Sequence, residues 1–424
     1  MAVLMILVFI IGYVAIALEH KLNINKAASA LVTGVLCWTI YIINQSNKES
    51  VADSLTYHLG DVSEILFFLL GAMTIVELID VHAGFELITK KISTRSKRKL
   101  IWIICGITFF LSAILDNLTT TIVMVSLIRK ILFDKNDRLL FCGAIVIAAN
   151  AGGAWSPIGD VTTTMLWIGG QITAMNIIKV LILPSFVCLL LPLIILNFQL
   201  KGNVLADPNP GDDECKLPLF ERRLVMITGI LVLVLVPAFK TITHLPPVMG
   251  ILIGLGILWI MVEIIHKDKS EEYHEKLTVA RALRRIDTPS ILFFLGILLA
   301  ISALQSTGQL QTFADGVTNK IGNLPLIVLI FGLVSSIVDN VPLVAAAMGM
   351  YSINDYPADH YFWEFLAYCT GTGGSALIIG SAAGVAAMGI EKINFFWYLK
   401  RISWLAIIGY LAGAVVYLIK QGVW

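Results

Sequence analysis

The sequence predicts an all-α integral membrane protein of two inverted repeats, each of five spans plus one re-entrant helical hairpin, with a broken helix in each repeat. Three observations predict it. Hydrophobic residues fill 58% of the 424 positions and charged residues only 14%, against roughly 25% charge in an average soluble domain. The charges gather between long apolar runs instead of spreading along amphipathic faces. A set of short motifs also occurs twice, in one order, about 220 residues apart. The net charge of +1 gives no electrostatic footing for a nucleic-acid partner. Of the six cysteines, five fall in apolar segments and Cys215 in a polar loop, without disulfide or metal spacing. The first segment lacks a basic leader and a small-residue cleavage site, so it is expected to be a retained span.

A hydrocarbon core of ~30 Å needs about 20 apolar residues as a helix. Ten segments qualify: approximately 2 to 18, 27 to 44, 63 to 81, 139 to 170, 176 to 199, 224 to 239, 246 to 265, 289 to 306, 361 to 390 and 394 to 419. Two further apolar regions, about 100 to 132 and 323 to 351, are interrupted at their middles by Asp-Asn. Each arm of about 14 residues reaches roughly 21 Å, too short to cross, so re-entrant hairpins are expected. This layout puts 25 of the 30 basic residues in loops on one side; Lys48, Lys179, Lys240, Lys320 and Lys420 fall on the other. The positive-inside rule makes the basic side cytoplasmic and puts both termini outside. The stretches 83 to 93 and 309 to 321 are amphipathic and read as surface arms leading to the hairpins.

The internal repeat is carried by three matches. Asp61-Val-Ser-Glu-Ile-Leu-Phe-Phe-Leu69 echoes Asp287-Thr-Pro-Ser-Ile-Leu-Phe-Phe-Leu295; Asp116-Asn117 recurs at Asp339-Asn340; Gly152, Gly153 and Gly159 recur at Gly373, Gly374 and Gly380. An odd number of spans per repeat inverts the second copy. Repeat 1 then covers 1 to 200, a cytoplasmic linker 201 to 223, and repeat 2 covers 224 to 424.

Non-helical backbone at membrane depth is tolerated only where protein or a water-filled cavity satisfies it. Four such breaks occur. They are Asp116-Asn117 with Thr119 and Thr120; Asp339-Asn340 with Pro342; Asn150 to Asp160, containing Ser156, Pro157 and Gly159; and Thr370 to Ser381, containing Thr372 and Ser375. Corresponding interruptions in two repeats point to a midplane binding site. Half-helix ends aim partial charges into one cavity, and these side chains form an oxygen-rich set suited to a hard cation. Ionised Asp116 and Asp339 would repel an anion. Burial favours a protonated carboxyl whereas a bound cation favours the carboxylate, so proton and cation compete, which suffices for antiport. Sodium is expected at Asp116, Asn117, Asp339 and Asn340. Asp160, whose repeat mate is Ser381, is an asymmetric proton carrier on this reading, and Glu77, Glu64 and Asp80 of the third span are candidates for a proton pathway.

Structural roles compete with each assignment. Asp and Asn are preferred helix caps, Ser156-Pro157 has the pattern of a cap followed by a first helical residue, and the glycines suit close helix packing. Glu77 is as compatible with a structural role. No histidine falls in the middle of a predicted span, and His82 at a span end reads as interfacial. An enzyme would need a nucleophile, metal set or cofactor motif, and none appears.

The pattern Asp116-Asn117-Leu-Thr119-Thr120, with Asn150-Ala-Gly-Gly-Ala-Trp-Ser-Pro-Ile-Gly-Asp160-Val-Thr-Thr, resembles the NhaD sodium/proton antiporters of the ion transporter superfamily over nearly the whole chain. The resemblance implies a non-enzymatic secondary transporter of a bacterial inner membrane, exchanging sodium, and also lithium, for protons without an organic cofactor. It further implies a scaffold region that forms a homodimer in the bilayer, and a mobile region that holds both hairpins and moves as an elevator. Arsenite permeases and divalent-anion symporters share this architecture. The latter carry Ser-Asn-Thr at both tips, where this chain has Asp116 and Asp339. An arsenite or small-anion permease is the alternative reading.

Overall fold

The computed structural model describes residues 2 to 89, 94 to 204, 217 to 267 and 277 to 423. Cys215 and most of the predicted linker lie outside them, as do the basic residues Lys90, Lys91, Lys216, Lys269 and Lys276. The described chain is helical; the β pairing among these residues is a lone bridge between Ser96 and Asn203.

The first half comprises α1 (Ala2–Ala17), α2 (Lys26–Ile43), α3 (Lys48–Val81), α4 (Lys97–Ser112), α5 (Asn117–Ile131), α6 (Lys135–Ala154), α7 (Val161–Ile168) and α8 (Ala174–Gln199). The second comprises α9 (Leu219–Thr243), α10 (Pro247–His266), α11 (Thr288–Ser306), α12 (Gln309–Ile321), α13 (Leu324–Val338), α14 (Asn340–Met350), α15 (Tyr361–Gly373), α16 (Ala382–Glu391) and α17 (Ser403–Gln421). Side-chain caps set many of the starts: Asn25 accepts from Ala27 N, Asn47 from Ser50 N, Asp134 from Asp137 N and Asn323 from Leu326 N. Each satisfies an amide that the first helical turn leaves open.

Eight helices of the described residues are long and apolar enough to cross a membrane, or nine if α12 and α13, which meet at 117°, form one span. This is fewer than the ten predicted spans. With 16 residues, α1 reaches only about 24 Å, and the ninth predicted span is divided by a 3₁₀ turn at Gly374–Ala376 into α15 and α16. Conversely, α3 runs for 34 residues from Lys48, well before the predicted start at 63. Polar residues had hidden its first turns from a hydropathy reading. His58 therefore sits within a helix and bonds Ser306 Oγ at 3.0 Å. His82, at the end of α3, is buried, with its Nε2 3.0 Å from His266 Nε2.

Helix pairings recur between the halves. α1 packs on α2 as α9 does on α10, α4 on α6 as α13 on α15, α5 on α16 as α14 on α7, and α2 on α11 as α10 on α3. Close backbone approach explains the paired glycines. A Cβ at Gly152 would collide with the carbonyl of Phe109, and one at Gly373 with that of Gly332. Ser112 Oγ donates to Ala149 O at 2.6 Å and Ser335 Oγ to Thr370 O at 3.2 Å. The interior of each broken helix is thus pinned to the arm beside it by one hydroxyl.

The halves also differ. α11 packs directly on α14, whereas α3 and α5 face each other across a cavity of about 640 Å³. Beyond it, Glu391 at the end of α16 is buried and takes Arg129 at 3.1 Å and Arg138 at 3.1 Å, which ties together the ends of α5, α6 and α16. Sequence reading missed this cluster because its three members come from segments 129, 138 and 391, with no local motif.

Candidate functional site

The breaks predicted from sequence converge on Asp160. Each Asp-Asn junction separates two helices, and its aspartate caps the outgoing one. Asp116 accepts from Thr119 N at 2.7 Å and from Thr119 Oγ1 at 2.7 Å; Asp339 accepts from Val341 N at 3.4 Å. The expected capping geometry is therefore present at both. The following asparagines point inward. Asn117 Nδ2 donates to Asp160 Oδ2 at 3.0 Å and to Asn150 Oδ1 at 3.1 Å. Asn340 Nδ2 lies 3.4 Å from both Asp160 oxygens.

Asp160 itself is 1% exposed. It caps α7 by accepting from Thr162 N at 3.0 Å, placing the carboxylate at the positive end of a half-helix. Its acceptor capacity is used by neutral donors from three elements, which is what makes burial of an acid tolerable. The other broken helix crosses at the same point. Asn150 Nδ2 donates to Ser375 Oγ at 2.8 Å and Ser381 Oγ at 2.9 Å, and Ser381 caps α16 through Gly384 N. A Cβ at Gly371 would stand 3.6 Å from Asp160 Oδ2. The glycine keeps this wall of the site thin. Gly153 and Gly374 do the same for their own breaks, each closing on the carbonyl of Gly159 or Gly380.

Several predicted residues take other places. Asn117 and Asn340 present amide nitrogens to Asp160. Asp116 and Asp339 are half-buried at the rim; the shared neighbour of the two junctions is Asp160. Thr372 Oγ1 is spent on Tyr368 O in its own helix. Ser156 is no helix cap: α7 starts at Val161 behind Asp160, and Ser156 Oγ makes only a 3.4 Å contact with Ile158 N, with Pro157 in the same turn. Thr120 is buried, its hydroxyl unpartnered among the described residues. Pro342 lies in the first turn of α14, where a missing amide hydrogen is harmless.

The third-span acids separate. Glu77 pairs with Arg285 at 3.0 Å and Asp80 stands 4.0 Å from the same guanidinium. Both line the cavity that ends at Thr119, beside Asp116. Glu64 lies elsewhere, in a second cavity of about 400 Å³ with His58, Asp61 and Gln305. Arg285 and Lys26 are the basic residues that sequence reading passed over. In the sequence both fall in predicted loops.

A helical protein with eight helices among its described residues long and apolar enough to cross a membrane, and a buried polar centre where two interrupted helices meet, is built as a secondary transporter. It belongs to the citrate transporter family, whose model matches residues 5 to 364. Among individual relatives, Sodium/proton antiporter 1 of Arabidopsis thaliana is 51% identical over 98% of this chain and 72% of the relative. Sodium/proton antiporter 2 of the same plant is 47% identical over 98% of both. The Na(+)/H(+) antiporter NhaD of Vibrio cholerae is 30% identical over 98% of this chain and 91% of its own length. Among solved structures, the YdaH transporter of Alcanivorax borkumensis shares the fold, with a TM-score of 0.58 at 12% identity over 90% of each chain.

Proposed function

We propose that this chain exchanges sodium for protons, one cation and proton competing for the carboxylate of Asp160 with Asp116 at its rim. The observation that carries the reading is the donor set of Asp160: a fully buried acid held by neutral amides from both Asp-Asn junctions. Such a group is charge-compensated either by a proton or by a bound cation, and it disfavours a polyanionic substrate. Relatives named sodium/proton antiporters at up to 51% identity support the same ion pair.

The recurring helix contacts support two inverted repeats, with 100 to 132 and 323 to 351 as re-entrant hairpins. The cavity between α3 and α5 has basic residues at its mouth, Lys130, Arg281 and Arg285, on the side that the charge distribution makes cytoplasmic. Contact between α11 and α14 narrows the corresponding path on the other face to the smaller cavity, of about 400 Å³, that holds Glu64. On this reading the protein is in an inward-open state, and alternation moves the two hairpins together against the α2–α11 scaffold, the surface where a homodimer would form. Lithium is expected to follow sodium because both are small oxygen-seeking cations.

Proteoliposomes carrying a trapped pH indicator test this. Outward-directed sodium gradients are expected to drive proton entry, with potassium much less effective. Uptake of labelled citrate or arsenite without sodium-driven proton movement would overturn the proposal.

A further inference from the structure

The two Asp-Asn junctions satisfy their aspartates differently. Asp116 takes both the amide and the hydroxyl of Thr119. The residue in the corresponding place after Asp339 is Pro342, which has neither an amide hydrogen nor a hydroxyl. Asp339 also holds φ at +72° with ψ at 138°, a region costly for any residue with a side chain beyond glycine's. Its missing partner comes from α2: Lys26 Nζ lies 3.5 Å from Asp339 Oδ2.

Lys26 is poorly placed for the stability of its own helix. It is the first residue of α2, behind the Asn25 cap, where a cation opposes the helix dipole. Its ammonium stands 4.4 Å over the Phe293 ring of α11. It reaches Asp339 along a cavity of about 510 Å³ that also touches Tyr13, Glu19 and Asn25. Tyr13 donates its hydroxyl to Val338 O, anchoring the junction beside the pair. The repeat offsets put the counterpart of Lys26 among residues 247 to 252, which hold no charge. The cation belongs to one junction only. The side chains of Lys26 and Asp339 keep 27% and 21% exposure, so dissolved ions reach the pair through the cavity.

We infer that Lys26 is a tethered cation that occupies the second junction in competition with a transported one, holding Asp339 in reserve while exchange runs through Asp160 and the first junction. A short tether gives an effective concentration in the mM range or above, on the order of that of the sodium it excludes. The identity of the competing ion rests on the antiport reading; the competition itself does not.

Equilibrium binding of labelled sodium to purified full-length protein tests it, with lithium and potassium as separate arms. Lys26→Gln is expected to bind a second sodium ion per chain, or to half-saturate at a several-fold lower concentration, while Lys26→Arg stays like the wild type. The gain is expected to vanish in Lys26→Gln/Asp339→Asn. With Lys26 intact, Asp339→Asn is expected to bind sodium like the wild type; this arm stands even if Lys26→Gln fails to fold. Unchanged binding in a folded Lys26→Gln, a gain that survives loss of Asp339, or weakened binding in Asp339→Asn alone would each overturn the inference. So would a wild type and Lys26→Gln that both bind none of the three cations. A wild type that binds sodium yet moves no protons in liposomes would refute the antiport reading and leave this inference standing.

Discussion

A 3.0 Å hydrogen bond from Asn117 Nδ2 to Asp160 Oδ2 joins the first residue of α5 to the cap of α7. Asn340 approaches the same carboxylate from the other half of the chain, at 3.4 Å. Asp160→Asn removes the charge that both amides face and sets an amide against amides. Hydrogen bonds to a charged group contribute about 1.5–3 kcal/mol each. Losing one such bond in the cation-bound state predicts exchange at least about tenfold slower, and loss of the proton-carrying group predicts that no pH restores it. Initial rates of sodium-driven proton flux across a pH series check this. Exchange that merely shifts its pH optimum would count against Asp160 as the shared carrier.

Thr119 supplies two of the contacts that hold Asp116 in place. Thr119→Val keeps the amide bond and deletes the hydroxyl bond, whereas Thr119→Ser keeps both. The valine variant is expected to raise the sodium concentration for half-maximal exchange by about tenfold, the equivalent of one lost hydrogen bond of ~1.4 kcal/mol. The serine variant is expected to stay within about twofold of the wild type. Equal losses in both would mean that the methyl group, not the hydroxyl, matters at this rim.

Much of this architecture was legible because membranes restrict what a sequence does. Breaks at Asp116-Asn117, Asp339-Asn340, Asn150 to Asp160 and Thr370 to Ser381 stand out against apolar runs, since lipid offers no partner for open backbone. All four meet around one acid. What stayed hidden were contacts between distant segments. Arg285 reaches Glu77, and Lys26 reaches Asp339 across 313 positions; both basic residues look like ordinary cytoplasmic loop charges. The rank of the three aspartates was also unreadable. Their residue types are identical, and what separates Asp160 from the two at the junctions is its burial and the amides it faces from both.

The glycines at the breaks offer a test of packing that substitutes no ionisable group, although a Cβ on Gly153 would also stand 3.2 Å from Asp160 Cβ. A Cβ on Gly153 would sit 2.5 Å from Gly159 O, and one on Gly374 would sit 2.7 Å from Gly380 O. Neither carbonyl moves without opening its break, so Gly153→Ala and Gly374→Ala are each expected to destabilise by about 1–3 kcal/mol. Gly106 and Gly256 have open space at the same position. Alanine there is expected to be neutral or to stabilise by up to ~1 kcal/mol, from helix propensity alone. Thermal unfolding in detergent separates the two pairs, and equal effects at all four sites would refute the close-approach account.

His360 makes the entry to α15 sensitive to acid. Its Nδ1 accepts a hydrogen bond from Phe362 N at 3.2 Å, which requires the neutral ring, and partial burial lowers its pKa below the ordinary value of 6.5. A proton there abolishes the acceptor and adds positive charge at a helix N-terminus. Because the folded-state pKa is the lower one, the cap's contribution is complete above about pH 6.5 and is lost as pH falls through the folded value. A helix cap contributes ~1 kcal/mol. Thermal stability of the wild type is therefore expected to drop more than that of His360→Asn between about pH 7 and pH 5, because asparagine caps without titrating. Parallel curves for the two proteins across that range would show that the ring's protonation is not linked to the fold.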